Sequence, residues 1–260
     1  MRHSVVYTLV FSALLCVVCA IMVSSSAVTL KERQDVNKAL DRKTNVLEAA
    51  GLIEADADVT AEQVEELFGS FSSVFVELAT GQEVEGGDPD LYDQQKAKKN
   101  PDTSREAPTN SSLIKRVPEK AVVYKLLDDG GEIETLILPI EGYGLWGTLY
   151  GFMALEADSN TVVGITYYEH KETPGLGGEV ENPRWKALWP GRRIFDAEGE
   201  RALQVIKGNA GPVASDPHRV DGLSGATITS RGVTNMIDFW TGPDGFGPYL
   251  ESLRRERSVA

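Results

Sequence analysis

The sequence predicts an α+β protein, in which a single N-terminal transmembrane helix precedes a soluble domain with a mostly antiparallel sheet flanked by helices. Three observations support this fold class. One long apolar stretch lies near the N-terminus, four strand-like segments follow one another with short connections, and an amphipathic helical pattern comes after them. Neighbouring strands with short links are typical of an antiparallel sheet. The 260 residues suffice for one large domain, or two small ones, with appendages.

Residues 1–30 are predicted to be a membrane anchor. Residues 4–30 carry no charged side chain, and about 20 apolar residues cross the hydrocarbon core as a helix. A cleaved signal peptide is the alternative, since Ser24–Ala27 has the small residues of a cleavage site, but the apolar run is longer than a signal sequence needs. The basic residues follow the span, which taken literally puts the domain in the cytoplasm. Large domains translocate largely regardless of charge, so charge counting leaves the side open.

Composition excludes several classes of function. The net charge is −13, from 39 acidic and 26 basic residues, and such a surface repels nucleic acid. The two cysteines lie in the anchor, so the remaining chain has no thiol for a disulfide or a metal site. The three histidines are far apart in sequence, and we expect no metal site and no catalytic side-chain constellation. Any redox chemistry therefore requires an organic cofactor.

The chain after the anchor divides into three parts. Residues 31–80 are predicted to be a helical segment, whose second helix starts with a capping box from Thr60 to Gln63. Residues 81–112 contain almost no apolar residue larger than alanine, so they cannot build a core, and we predict a polar surface excursion. Residues 113–260 are predicted to be the α+β domain.

Strand and helix patterns alternate within residues 113–260. Four segments are rich in β-branched and aromatic residues and are separated by Gly, Asp and Asn turn signals, namely VVYKLL, ETLILPI, TLYGFMAL and TVVGITYYE. RWKALWPG predicts a short helix, and ALQVIKG predicts a further strand. ITSRGVTNMIDFW predicts a closing amphipathic helix with Val233, Ile237 and Trp240 on one face.

Three glycine-marked stretches are candidates for a binding site: GYGLWG (142–147), ETPGLGG (172–178) and SGAT (224–227). Each has a purely structural explanation when taken alone. GYGLWG can turn a strand around a buried Trp146, and ETPGLGG can be a surface turn, because glycine permits backbone conformations closed to other residues. In SGAT, Thr227 or Thr229 can cap the final helix.

The functional interpretation of SGAT uses the same helix start. A helix N-terminus offers unpaired N–H groups and a partial positive charge, which favour a phosphate. Thr227, flanked by the small residues Gly225 and Ala226, can carry that phosphate as an ester. Ser224, Thr229 and Ser230 are expected to donate further hydrogen bonds. Asp221 repels a free anion and makes better sense if an enzyme that needs a nearby carboxylate installs the phosphate.

These motifs together resemble one family. SGAT preceded by aspartate, ETPGLG about fifty residues upstream and an N-terminal anchor are similar to the covalent flavin subunits of bacterial ion-pumping redox complexes, most of all the C subunits of the Na⁺-translocating NADH:quinone reductase. The resemblance implies FMN joined through its phosphate to Thr227. It also implies a flavin transferase that acts outside the cytoplasm, and hence a periplasmic domain on the bacterial inner membrane.

The positions of the loops predict how the flavin would be held, and the resemblance implies how it would be used. Trp146 and Leu176 are expected to sandwich the isoalloxazine ring, Thr173 to hydrogen-bond its edge, and Lys207 to balance the phosphate charge. The subunit would accept single electrons from a membrane iron–sulfur centre and pass them to the flavin of the B subunit. Its partners would be membrane lipid and the A, B, D, E and F subunits.

Two other interpretations remain open at this point. The first is the G subunit of the related Rnf complex, which carries the same type of flavin and couples to ferredoxin. The length of the chain and the polar residues 81–112 favour the quinone reductase, because the Rnf counterpart is usually shorter. The second is a membrane-anchored assembly module without a cofactor, in which SGAT only caps a helix.

Overall fold

The structure of the chain is a computed structural model that describes residues 4–55 and 57–259. The first three residues of the predicted anchor, Arg2 among them, lie outside these ranges. The chain forms two compact units, residues 1–41 and residues 42–260.

The N-terminal helix α1 runs from Val5 to Ala49. Its first part, Val5–Lys31, contains an 18-residue window with a mean hydropathy of 2.6 and no buried residue, as suits a helix that anchors a protein in a membrane. The first helix predicted for residues 31–80 is a continuation of α1, because the sequence contains no helix-breaking residue between the apolar span and this helix. Gly51, with φ +73°, follows the helix in the left-handed conformation that often ends helices.

The helix α2, Ala61–Phe68, begins as predicted with a capping box. The N–H of Gln63 donates to Thr60 Oγ1 at 3.3 Å, and the N–H of Thr60 donates to Gln63 Oε1 at 2.9 Å. The prediction of helical structure up to residue 80 is wrong, because Phe71–Glu77 forms the strand β1. Its aromatic and β-branched residues suit a strand, and its pairing partner lies about fifty residues later in the chain.

The polar residues 81–112 are more ordered than a surface excursion. They contain β2 (Gln82–Val84), α3 (Gln94–Lys99) and β3 (Ser104–Glu106), and β3 pairs with β4 (Arg116–Pro118). Backbone pairing and side-chain caps order this segment: β2 adds to β1, and Asp93 Oδ1 accepts the N–H of Lys96 at 3.0 Å. Composition indicated the missing apolar core correctly, but pairing to neighbouring strands does not require one.

The central sheet has six strands in the order β2-β1-β5-β6-β7-β8, and all its pairs are antiparallel. The four predicted strand segments are confirmed as β5 (Lys120–Leu127), β6 (Ile133–Tyr143), β7 (Thr148–Glu156) and β8 (Val162–Glu169). Consecutive strands from β5 to β8 pair with each other, as short connections require.

The remaining elements follow the sheet in sequence. The predicted short helix is α4 (Pro183–Lys186), and the predicted further strand is reduced to β9 (Gln204–Val205), which pairs in parallel with β10 (Arg219–Val220). The helix α5 spans Thr227–Trp240, and Val233, Ile237 and Trp240 are buried as predicted. It is not the last helix, since α6 (Gly247–Val259) follows. The second half of α6 is rich in charged residues, whereas its first half contains the buried residues Tyr249 and Leu250.

Close contacts place α5 against β6. The indole Nε1 of Trp240 donates to the carbonyl of Glu141 at 2.7 Å. A Cβ on Gly142 would lie 2.6 Å from Met236 Cβ, and one on Gly232 would lie 2.5 Å from the carbonyl oxygen of Tyr143. Glycine at both positions lets the helix approach the strand closely, which brings the start of α5 beside the β6–β7 turn.

Candidate functional site

The helix α5 starts without a side-chain cap. Thr227 is its first residue, Ala226 occupies the N-cap position with φ −125° and ψ 49°, and no side chain accepts a hydrogen bond from the first turn. The turn before it uses Gly225 with φ +72°. The structural explanation of SGAT, in which Thr227 or Thr229 caps the helix, is therefore wrong. The N–H groups that open α5 remain available to an anion.

A cavity of about 640 Å³ lies at this helix start. The exposed Thr227 lines it, and within the described ranges its hydroxyl has no hydrogen-bond partner. Five of the predicted site residues thus share one cavity, namely Lys207, Ser224, Gly225, Thr227 and Ser230, and the buried Ala226 adjoins it. The lining residues come from β9 and the loop after it, from the SGAT segment and from α5: Gln204, Val205, Ile206, Lys207, Gly208, Asn209, Gly222, Leu223, Ser224, Gly225, Thr227, Ser230, Arg231 and Thr234.

Two cations line the cavity. Lys207 was predicted, whereas Arg231 was not, although it lies one helical turn after Thr227 on the same face of α5. Both side chains are exposed, and in the part of the chain that the structure describes neither has an ion-pair partner. In a chain of net charge −13, two unpaired cations beside a free hydroxyl favour an anionic ligand. The i, i+4 spacing from Thr227 was the signal that could have identified Arg231.

Asp221 stabilises the segments that line the cavity through two hydrogen bonds. Its Oδ1 accepts the N–H of Ala210 at 2.7 Å, and its carbonyl accepts Trp185 Nε1 at 2.9 Å. The next residue, Gly222, donates its N–H to the carbonyl of Gly208 at 2.8 Å. These bonds fasten the loop that carries Lys207 to the SGAT segment, so the structure gives the Asp221 carboxylate a positioning contact and does not place it among the lining residues.

Thr229 faces away from the cavity and contacts a residue that the sequence analysis did not select. Its buried hydroxyl donates to Glu172 Oε2 at 2.5 Å. The Glu172 carboxylate, which is 5% exposed, also accepts the N–H groups of Leu145 and Trp146 at 3.0 and 2.8 Å. The expected phosphate hydrogen bond from Thr229 is therefore replaced by a contact with Glu172. Glu172 is the first residue of the ETPGLGG stretch, and nothing in the sequence around it indicated this role.

The same carboxylate explains two glycines. A Cβ on Gly144 would lie 2.7 Å from Glu172 Oε1, and one on Gly177 would lie 2.5 Å from Oε2. Such distances are shorter than any normal contact, so only glycine fits at either position. Two of the glycine-marked stretches, GYGLWG and ETPGLGG, therefore meet around Glu172, and α5, which follows the third, reaches it through Thr229.

Apolar side chains from two of these loops are exposed beside the site. Trp146 is 62% exposed, which excludes the explanation of GYGLWG as a turn around a buried tryptophan, and Leu176 is 43% exposed. Leu176 approaches Gly225, where an added Cβ would lie 2.9 Å from Leu176 Cδ2. Thr173 is exposed, and its carbonyl accepts the N–H groups of Leu176 and Gly178 at 3.1 and 3.0 Å. Neither apolar side chain lines the cavity around Thr227, but Leu176 approaches its lining residue Gly225.

Comparison with known proteins agrees with this geometry. A family model described as "FMN-binding domain" matches residues 144–241. This range includes ETPGLGG, SGAT and the part of GYGLWG from Gly144 onward. The C subunit of the Na(+)-translocating NADH-quinone reductase of Pseudomonas aeruginosa is 45% identical over 258 residues, which cover 98% of either chain. The corresponding protein of Vibrio vulnificus is 46% identical over 243 residues, which cover 92% of either chain.

A solved structure is similar as well. The crystal structure of Shewanella oneidensis NqrC superposes with a TM-score of 0.78 at 34% sequence identity, and the match covers 85% of this chain and 99% of that one. Identity above 40% over nearly the whole length favours the quinone reductase over the Rnf complex, and the FMN-binding match favours a cofactor-binding domain over an assembly module. The chain belongs to the family of C subunits of the Na⁺-translocating NADH-quinone reductase, with an N-terminal apolar helix and an FMN-binding α+β domain.

Proposed function

We propose that Thr227 carries FMN as a phosphoester and that the chain relays single electrons within the Na⁺-pumping complex, from a membrane iron–sulfur centre to the flavin of the B subunit. The observation that carries the proposal is the position of Thr227. Its free hydroxyl opens the uncapped helix α5 in a cavity that contains Lys207 and Arg231. The match of residues 144–241 to an FMN-binding domain supports FMN as the ligand.

The residues around Thr227 fit a phosphate. The first N–H groups of α5 have no side-chain cap, and they are suited to hydrogen-bond phosphate oxygens. Lys207 and Arg231 supply two positive charges without an acidic partner among the residues described. Ser224 lines the same cavity with an exposed hydroxyl. A phosphate esterified to Thr227 would therefore have donors and cations around it.

The exposed apolar residues of the two glycine-marked loops fit a flat aromatic group. Leu176 approaches Gly225, and the Trp146 side chain is exposed. Both would pack against an isoalloxazine ring and exclude water from it. Thr173, exposed in the same loop as Leu176, would orient the edge of the ring. When bound, FMN supplies the one-electron chemistry, and the protein sets its position and its solvent access.

The location and the partners complete the proposal. The exposed apolar helix Val5–Lys31 would anchor the chain in the bacterial inner membrane, with the domain on the periplasmic side. The A, B, D, E and F subunits and membrane lipid would surround the anchor. A periplasmic flavin transferase would attach the FMN, and covalent attachment would prevent loss of the cofactor outside the cytoplasm.

Fluorescence of the denatured chain tests the attachment. Expressed in cells that contain the transferase, the wild-type chain is expected to give a fluorescent band at its own mass under ultraviolet light, and the intact mass to include one FMN ester. Thr227→Val should give a dark band. Ser224→Ala is the matched control, because it removes another hydroxyl from the same cavity and should leave the fluorescence. A fluorescent Thr227→Val chain would show that another residue carries the flavin.

A further inference from the structure

We infer that Glu172 is a positioning residue of the flavin site and that its buried negative charge keeps the reduction potential of the bound flavin low. The inference rests on the proposed attachment at Thr227. It concerns a residue that touches neither Thr227 nor its cavity and that acts through the two loops and the helix it joins.

The first step is the state of the carboxylate. Every hydrogen bond that Glu172 makes through its side chain comes from a donor: the backbone N–H groups of Leu145 and Trp146 and the hydroxyl of Thr229. The N–H groups can only donate, and an ionised carboxylate can only accept, so this arrangement matches the charged form. Among residues 4–55 and 57–259 no lysine, arginine or histidine forms an ion pair with Glu172.

The second step is the surroundings of this charge. Glu172 is 5% exposed, and its two oxygens lie against Gly144 and Gly177. Water is therefore excluded, and electrostatic effects reach further than they would at an exposed site. The backbone N–H of Glu172 donates to His170 Nδ1 at 3.2 Å, and His170 Nε2 lies 3.0 Å from Glu181 Oε1. His170 therefore contacts the backbone N–H of Glu172 and the carboxylate of Glu181, and it forms no ion pair with the Glu172 carboxylate.

The third step is the distance to the flavin site. Thr229, which donates to Glu172, is two residues after Thr227 in the first turn of α5, a rise of about 3 Å along the helix axis. The N–H of Trp146 donates to the Glu172 carboxylate, and the exposed side chain of Trp146 is the one proposed to pack on the ring. Leu176 contacts Gly225 from the loop that Glu172 opens. A buried negative charge at this point, hydrogen-bonded but without an ion-pair partner among the described residues, disfavours addition of an electron to a group bound among these residues.

The test compares three variants of the full-length chain, each purified in detergent from cells that attach flavin. Covalent flavin is read from the fluorescence of the denatured band, and the midpoint potential is read by a spectroelectrochemical titration. Glu172→Gln is expected to keep the fluorescent band and to raise the midpoint potential of the bound flavin by at least about 59 mV, which corresponds to a tenfold change in the one-electron equilibrium. Glu172→Asp, which keeps the charge, should remain closer to the wild-type potential than Glu172→Gln.

Thr229→Val separates charge from geometry. It removes one of the three donors but leaves the carboxylate charged, so the potential should not rise. A rise as large as that of Glu172→Gln would overturn the inference, and so would a fluorescent Glu172→Gln chain with the wild-type potential. A wild-type chain without a fluorescent band would instead refute the attachment at Thr227, so the two failures are distinguishable.

A measurement without flavin keeps the positioning role testable if Glu172→Gln takes up none. In the Thr227→Val background, hydrogen exchange of the Leu145 and Trp146 amides should become faster when Glu172 is replaced by Gln, because the amide side chain has only one accepting oxygen. Unchanged exchange at these two amides would overturn the positioning role.

Discussion

The hydroxyl of Thr229 donates to the carboxylate of Glu172 across 57 positions of sequence, at 2.5 Å and out of contact with water. This bond joins the start of α5 to the loop after β8. The same carboxylate accepts the N–H groups of Leu145 and Trp146 in the β6–β7 turn. The Thr229 hydrogen bond therefore helps to hold three segments together: the β6–β7 turn, the loop after β8 and the start of α5.

Loss of this hydroxyl should destabilise the domain. Thr229→Val leaves a buried carboxylate short of one donor, and removing one partner of such a bond costs about 1–3 kcal/mol or more. We expect the free energy of unfolding, measured in urea, to fall by that amount. Thr229→Ser keeps the hydroxyl and should lose much less. Equal losses in both variants would mean that the methyl group, and not the hydrogen bond, stabilises this position.

The two cavity cations should speed flavin attachment. Replacing Lys207 or Arg231 by Gln removes a positive charge from the phosphate site, where an exposed ion pair contributes about 0.5–1 kcal/mol. We expect the initial rate of fluorescence gain, at limiting flavin donor, to fall about twofold to fivefold for each variant, and further for the double variant. Lys115→Gln, an exposed lysine that lies outside this cavity, is the control. The effect should shrink at high ionic strength, and a salt-independent loss would point to a structural cause.

Gly232 should not tolerate a side chain. A Cβ there would lie 2.5 Å from the carbonyl oxygen of Tyr143 and 3.2 Å from Gly144 Cα. Alanine is the better helix former, but the clash with backbone atoms should dominate, with a net cost of about 1–3 kcal/mol. Urea denaturation of Gly232→Ala measures this cost. Gly86→Ala, whose nearest neighbour is the flexible end of Lys120, should be near neutral. A stabilised Gly232→Ala protein would contradict the close packing of α5 on the β6–β7 turn.

Glu141 should make stability depend on pH. Burial raises the pKa of this carboxyl above its ordinary value of 4.5, and the ion pair with Lys98 offsets only part of the effect. Because the folded-state pKa is higher than the unfolded-state pKa, the favourable contribution is present below about pH 4.5 and is lost as pH rises through the folded-state pKa. The free energy of unfolding of the wild type should therefore fall, relative to Glu141→Gln, as the pH rises from about 4.5 through the folded-state pKa.

Glu134 provides the control for this pH dependence. It is exposed on the same strand, β6, so Glu134→Gln removes a carboxyl group from this strand without removing the buried one. A wild type that gains stability relative to Glu141→Gln with rising pH would show that the ion pair with Lys98 outweighs the cost of burial.

The side of the membrane can be decided directly. The basic residues after the apolar span favour a cytoplasmic domain by charge counting, whereas the proposed function requires a periplasmic one. Alkaline phosphatase fused to the C-terminus folds into an active enzyme only outside the cytoplasm, so we expect high activity from the full-length fusion. A fusion to a chain without residues 1–30 should be inactive and serves as the control. An inactive full-length fusion would place the domain in the cytoplasm.

Local patterns predicted much of the fold. The four central strands, the capping box at Thr60 and the buried face of α5 through Val233 and Ile237 were confirmed, because each depends on residues close in sequence. The strand β1 and the pairing of β2 and β3 were missed. The partner of β1, β5, lies about fifty residues later in the chain, and β2 and β3 are only three residues long. Each of these strands is therefore stabilised by its partner rather than by its own sequence.

The sequence by itself determined the N-terminal apolar helix and the antiparallel sheet, since apolar length and strand patterning are local signals. It also offered Thr227 as a candidate at a small-residue helix start, and the combination of motifs singled that residue out. Only the tertiary structure decided what surrounds that threonine. It brought Lys207 to Arg231, turned Thr229 away toward Glu172, and left Trp146 exposed. The physical reason is that a site is defined by distances between atoms from separate loops, and the close packing of α5 on β6 sets those distances.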